Sequence, residues 1–257
     1  MVIRKFRRKI NEELADLYPR TETEAFFFLL MEFFLNKKKV EVLLHLDEKI
    51  ALNTQKKLNE TLHRLKNEEP IQYILGETEF YGYRLKVDQN TLIPRPETEE
   101  LVAWIIETIE SDVSLKNKST IKILDIGTGT GCIPITIAKE VKNAQVDAID
   151  VSREALHVAT ENASLHNVSI NFSQQDILNT NTLSKQYDII VSNPPYVRNL
   201  EKKEIKNNVL ANEPHLALFV SDDNPFVFYQ KIAELSKKAL TKEGFLFFEI
   251  NQYLGNE

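Results

Sequence analysis

Between Lys5 and Asn67 apolar residues recur at helical spacing and no two-residue alternation persists, which predicts a helical segment throughout. Thr21 and Glu24 form a capping-box pair ahead of the apolar run 26–35, a good helix start. Leu43, Leu44 and Leu46 predict a short helix, and Leu58, Leu62 and Leu65 make one stripe on another that fades at Lys66 and Asn67. Residues 1–68 therefore read as a small helical bundle. Residues 69–92 read as a connector. Gly76 and Gly82 flank the short alternating segments 79–81 and 83–87, predicting a β-hairpin. Pro94 and Pro96 then stop extended chain, and Pro96 suits the first position of a helix running to about Ile109. Beyond it the pattern changes. Apolar or β-branched runs at 121–126, 145–150, 169–174, 188–192 and 244–250 alternate with helical stretches at 132–141, 153–166 behind an N-cap Ser152, and 225–240. Strands alternating with helices predict an α/β domain over 93–257, a parallel sheet flanked by helices.

Composition adds bounds rather than identity. At 42% hydrophobic and 27% charged residues the chain is an ordinary globular one. Its net charge of −6 weighs against direct nucleic-acid contact as the main activity, because phosphate neutralisation calls for a basic surface. The basic residues just beyond 196, Lys202, Lys203 and Lys206, are interleaved with Glu201 and Glu204 and read as a solvated loop. A single cysteine, Cys132, excludes an internal disulfide framework and a multi-cysteine zinc site, and no metal is expected. The first eight residues lack a signal-peptide core, and the apolar run 25–35, broken by Glu32, is too short to span a bilayer. The expectation is a cytoplasmic protein with no membrane partner.

Glycine is scarce, seven residues in all, yet three are Gly127, Gly129 and Gly131, following a predicted strand and preceding a helix. Glycines there let backbone approach a ligand and leave helix N–H groups free to meet it. The spacing Asp125-Ile126-Gly127-Thr128-Gly129-Thr130-Gly131 departs from a dinucleotide fingerprint, which needs glycine where Cys132 stands. It resembles the first motif of class I methyltransferases. Asp125, Gly127, Thr128, Gly129, Thr130 and Gly131 are thus candidate cofactor residues. Asp150, ending the next strand, can accept from ribose hydroxyls, without distinguishing S-adenosylmethionine from NAD. Asp176 can accept from an exocyclic amine and Ile177 can lie against an adenine ring, although a strand-end Asp is also a common turn former.

Asn193-Pro194-Pro195-Tyr196, after the strand at 188–192, carries the chemical signature. An amide nitrogen shares its lone pair with the carbonyl, and becomes nucleophilic only as it pyramidalises. Two fixed acceptors, the Asn193 side-chain oxygen and the Pro194 carbonyl, would stabilise the charge that develops, at about 1.5–3 kcal/mol each. Consecutive prolines end the strand ladder and hold those carbonyls in place. Tyr196 can lie flat on a planar target and favour a developing cation, worth about 0.5–2 kcal/mol. Asn193 through Tyr196 are the candidate catalytic and substrate-binding residues.

These motifs resemble the peptide chain release factor N5-glutamine methyltransferases, a class I S-adenosylmethionine-dependent family. Glu69-Pro70-Ile71-Gln72-Tyr73-Ile74-Leu75-Gly76 with Phe80-Tyr81-Gly82, the stretch from Ile93 to Glu99, and Glu213-Pro214 with Ala217-Leu218 are similar to the family as well. The resemblance implies a Rossmann-like methyltransferase domain, S-adenosylmethionine as donor, and the glutamine of the release factor's Gly-Gly-Gln loop as acceptor. It also implies that Asn193 lies near both ligands and that the N-terminal bundle docks the release factor. The chain departs from the family at Asn251, where glycine is usual, and stops at Glu257, short of two expected strands and a helix, as a truncated chain would. Two alternatives stay open at this point: a DNA adenine N6-methyltransferase, since adenine N6 is also a planar amine, and a non-catalytic module that binds the cofactor and a protein partner. An NAD-binding oxidoreductase ranks third.

Overall fold

The structure, a computed structural model, describes residues 1–252. The chain divides into two compact units, Met1–Leu75 and Gly76–Glu257. The first consists of α1 (Ile3–Glu13), α2 (Arg20–Leu35), α3 (Lys39–Leu44), α4 (Leu52–Lys66) and α5 (Ile71–Leu75). Its core is drawn from residues spaced three and four apart: Ile3, Phe6 and Ile10 of α1, Phe27, Leu30 and Met31 of α2, and Leu58, Leu62 and Leu65 of α4. The leucine stripe on α4 is thus buried as its spacing predicts. The capping box is not formed. α2 begins at Arg20 behind Pro19 with no side-chain cap, and Glu24 accepts instead from Arg7 and Asn11, each at 2.6 Å. A charged guanidinium outcompetes a backbone N–H for that carboxylate. α2 ends at Asn36, whose left-handed backbone (φ 52°) lets its N–H reach back to Glu32.

The second unit opens with an antiparallel hairpin, β1 (Glu77–Phe80) and β2 (Tyr83–Lys86). Next come α6 (Pro96–Ser111), which starts on Pro96 as expected, and α7 (Val113–Lys116). Then follow β3 (Ile121–Ile126), α8 (Cys132–Glu140), β4 (Ala144–Asp150), α9 (Arg153–Leu165), β5 (Ile170–Gln174) and β6 (Tyr187–Ser192). Ser152 caps α9 by accepting from the Ala155 N–H at 3.1 Å. After β6 come β7 (Val197–Arg198), a 3₁₀ turn (Asn199–Glu204), α10 (Asn207–Asn212), α11 (His215–Leu218), β8 (Phe219–Val220), α12 (Val227–Ala239) and β9 (Leu240–Phe248).

Five strands form one sheet in the order β5-β4-β3-β6-β9, with every neighbouring pair parallel. Both faces are covered. Ile123 and Val191 point into a core with Ile105 of α6 and Ile135 of α8, while Leu124 and Ile190 point into another with Ile232 and Leu235 of α12. That is why β3 and β6 read as near-continuous apolar runs. β9 begins at Leu240, four residues before the expected start, because Thr241 donates to Asp188 of β6 and Leu240 pairs with Tyr187.

Strand order fixes the location of the site. The chain winds outward from β3 through β4 to β5, then returns to place β6 on the other side of β3. The carboxyl ends of β3 and β6 therefore border the switch point, where open parallel sheets leave a crevice.

Candidate active site

A cavity of about 260 Å³ occupies that crevice. Among the residues lining it are Gly127, Thr128, Gly129 and Thr130, together with Asp150, Asp176, Ile177, Asn193, Pro194 and Pro195. The structure thus brings most of the sequence-derived candidates to one place. Asp125, Gly131 and Tyr196 are not among the lining residues.

The glycine loop crosses from β3 to the end of β4, where the N–H groups of Gly127 and Thr128 both donate to the Ile149 carbonyl at 2.9 and 3.1 Å. All three glycines have positive φ (78°, 54° and 80°), but for two different purposes. A Cβ on Gly127 or Gly129 would meet no atom within 4 Å; it would stand in open space beside the cavity. A Cβ on Gly131 would come within 3.0 Å of Ile135 and 3.1 Å of Ala159, so this glycine lets α8 and α9 approach each other. Asp150 holds the loop: its carboxylate accepts from Gly129 N–H at 2.8 Å and Ser152 N–H at 2.9 Å. Burial raises its pKa, and those backbone donors oppose the rise. With the Val151 N–H also close, the carboxylate still has acceptor capacity left for a ligand hydroxyl.

Asp125 lies fully buried beneath the loop. Burial pushes its pKa up to about 7; the nearby Thr128 hydroxyl counters the shift and the Asp150 charge adds to it. Among the described residues, no hydrogen bond of good geometry reaches either Asp125 oxygen or the Thr128 hydroxyl, although the hydroxyl is close enough to be felt. Cys132, just beyond, is buried too, which pushes its thiol up to about 12. At the third strand, Asp176 accepts from Leu178 N–H at 2.9 Å and from the Asn179 amide at 2.6 Å, so it forms the turn while facing the cavity. Ile177 is buried and lines the same wall.

The β6 end is built from partners distant in sequence. Ser192 donates to the Ile126 carbonyl at 2.7 Å and ties β6 to β3 just before Asn193. The Asn193 amide nitrogen donates to Thr98 Oγ1 at 3.2 Å, Thr98 donates to Glu249 Oε2 at 2.7 Å, and the Tyr196 hydroxyl donates to Glu249 Oε1 at 3.0 Å. Tyr196 is thereby anchored by its hydroxyl; burial, with Glu249 beside it, raises its pKa. Two stretches that carried the family resemblance meet here. Arg95 donates to Glu213 at 2.7 Å and the Ile93 N–H donates to the other oxygen at 3.3 Å, joining α6's approach to the loop beyond Asn193. Asn251 donates to the Tyr196 carbonyl at 3.1 Å and to Glu201 at 3.3 Å, a contact glycine would not supply.

One expectation needs correcting. Glu201 is not part of a solvated loop: it is buried and accepts from Arg198 at 2.9 Å. Lys202 lies over the Phe219 ring at 4.4 Å. The 3₁₀ turn folds the segment back through the β7–β8 pair, which turns Glu201 and Lys202 inward while Lys203, Glu204 and Lys206 stay exposed as expected. Sequence reasoning missed Thr98, Glu249 and Asn162. The last is fully buried on α9; its amide donates to the Thr130 and Lys86 carbonyls, both at 3.0 Å, and accepts from Lys86 N–H at 2.7 Å. A lone Asn on the apolar face of α9 was the only signal for it.

A five-stranded parallel sheet with a cavity-facing glycine loop after its first strand and an acidic residue ending its second is a nucleoside-cofactor fold. The D-x-G-x-G-x-G spacing, with the family matches that follow, makes the chain a class I, S-adenosylmethionine-dependent methyltransferase. Residues 112–218 match the family model described as Methyltransferase small domain, and residues 6–76 match PrmC N-terminal domain. The chain is 52% identical over 257 residues to a release factor glutamine methyltransferase of Flavobacterium psychrophilum, covering 100% of this chain and 89% of that one. A protein of the same name from Bacteroides thetaiotaomicron is 41% identical over 249 residues, 96% of this chain and 87% of its own. One from Lactococcus lactis is 44% identical over 208 residues, 81% and 73%. The chain belongs to the release factor glutamine methyltransferase family. Among the described residues, no helix is long and apolar enough to cross a membrane.

Proposed function

We propose that the protein methylates the side-chain amide nitrogen of the glutamine in the Gly-Gly-Gln loop of a peptide chain release factor, and that Asn193, Pro194 and Pro195 receive that amide, backed by Tyr196. The observation that carries the reading is that Asn193, Pro194 and the ligand-facing glycines line one cavity from adjacent strand ends. The cradle suits S-adenosylmethionine: Gly127 and Gly129 leave free the space a Cβ would fill, Asp150 offers remaining lone pairs to ribose hydroxyls, and Asp176 with Ile177 offers an acceptor and an apolar face to adenine. When bound, the donor supplies an electrophilic sulfonium methyl.

The chain's own residues do the rest. The Asn193 side-chain oxygen and the Pro194 carbonyl accept from the two amide hydrogens of the target, and these bonds strengthen as the nitrogen gains positive charge. Two such bonds contribute about 1.5–3 kcal/mol each, a few powers of ten in rate together. Pro194 is buried and Pro195 half-buried, which limits water at the amide. No side-chain base is required, since the proton leaves a product cation for solvent. For the first unit we propose release factor docking; Val40, Leu44, Leu43 and Phe33 are exposed there, apolar side chains open to a protein partner.

Asn193→Ala tests the assignment. Methyl transfer to purified release factor, read by mass spectrometry, should be abolished while S-adenosylmethionine binding stays within about tenfold, or roughly 1.4 kcal/mol. Retained transfer, or label entering duplex DNA and not the release factor, rejects it.

A further inference from the structure

An asparagine can present either its oxygen or its NH2 to a bound amide, and only the oxygen can accept from the target's hydrogens. What sets that choice lies outside the Asn193–Tyr196 motif. A carboxylate is acceptor-only, so the single hydroxyl hydrogen of Thr98 is committed to Glu249 Oε2 at 2.7 Å. The Thr98 oxygen can then only accept from Asn193, and the atom 3.2 Å away is accordingly the amide nitrogen. The side-chain oxygen is left on the other side, and among the described residues none donates to it. Glu249's second oxygen takes the Tyr196 hydroxyl at 3.0 Å, and its main-chain carbonyl takes the Tyr229 hydroxyl at 3.1 Å, so the carboxylate is itself fixed in place.

We propose that Glu249 and Thr98 are positioning residues that set the polarity of the Asn193 amide, turning its oxygen toward the incoming glutamine. This rests on the reading of Asn193 as an acceptor for the substrate amide. Glu249 acts through Thr98 on one side and through Tyr196 on the other, and touches no reacting atom. The relay runs from charge to hydroxyl to amide, and each member dictates the donor sense of the next. An amide in place of the carboxylate breaks that logic, because its NH2 can donate to Thr98. The Thr98 hydrogen is then released to Asn193, whose NH2 turns toward the substrate.

The test compares E249Q, T98V, T98S and the E249Q/T98V double variant in the full chain. E249Q and T98V should each lower kcat about 10- to 100-fold, the effect of losing one charge-assisted acceptor. Donor affinity by calorimetry should stay within about threefold, and T98S, which keeps the hydroxyl, should recover kcat to within about threefold of wild type. The double variant should fall no further than the worse single one, since both cut the same relay. A second readout needs no turnover: the Asn193 side-chain NH2 resonance in ¹⁵N spectra, assigned by its loss in Asn193→Ala, should move in E249Q and T98V and be restored in T98S. Wild-type kcat in E249Q, T98V indistinguishable from T98S, multiplicative losses in the double variant, or an Asn193 resonance that none of the changes moves overturns the proposal. A wild-type enzyme that fails to methylate release factor rejects the substrate reading instead, while the resonance still tests the relay.

Discussion

Asp125 offers the most direct measurement of the strain under the glycine loop. Burial holds its folded-state pKa near 7, against 3.8 for the free side chain. The folded protein therefore binds this proton more tightly than the unfolded chain. Stability from the group is fully present below pH 3.8 and is lost as pH rises through about 7, the reverse of a salt-bridged carboxylate. At 1.36 kcal/mol per pH unit the full cost is about 4 kcal/mol, of which about 2.5 kcal/mol develops between about pH 5 and pH 8. Asp125→Asn removes the titration. It also introduces an NH2 with only the Thr128 hydroxyl close by, costing about 1–3 kcal/mol at every pH. The variant should therefore lie within about 1.5 kcal/mol of wild type at about pH 5 and exceed it by about 1–3 kcal/mol at about pH 8. Denaturant titrations at several pH values, followed by the fluorescence of Trp104, check this. It is the chain's single tryptophan and sits on α6, edge-on to Phe247, so the signal reports the second unit. Parallel stability–pH curves for the two proteins would refute the argument.

Other substitutions separate neighbouring roles. Gly131→Ala forces a Cβ to 3.0 Å from Ile135 at a φ of 80° and should destabilise the second unit by about 1–3 kcal/mol in the same titration. Gly129→Ala meets no atom and should cost only about 1 kcal/mol of stability, yet weaken S-adenosylmethionine binding severalfold by calorimetry. Arg95→Ala leaves Glu213, with a side chain 1% exposed, facing only the Ile93 N–H. Because Arg95 itself is 30% exposed, the expected loss is discounted to about 1–3 kcal/mol, with faster proteolysis of the loop beyond Asn193 as the readout.

Much of this architecture was legible because it is written in period. The strand–helix alternation, the leucine stripe of α4 and the Ser152 cap are local patterns, and the structure forms them within a few residues of where they were expected. The glycine loop and Asn193 were legible because their spacing relative to two strands places both at one switch point. What failed to show depended on partners far along the chain. Glu24 looks like a helix cap until Arg7 and Asn11 claim it. Thr98 and Glu249 are ordinary polar residues 151 positions apart, and Asn193 lies 95 from Thr98. A donor–acceptor relay of that kind leaves no periodicity to read. Glu201 looked solvated because its sequence neighbours are charged, whereas its burial comes from Arg198 and Asn251.

The buried Asn162 has a consequence for how the donor cradle behaves as a mechanical object. One side chain grips Thr130 in the glycine loop and both backbone groups of Lys86 at the end of the hairpin, 76 positions earlier. Whatever free energy ligand binding adds to or takes from those bonds is returned in equal measure when the hairpin end is perturbed. A single amide thus ties the end of β2 to the glycine loop.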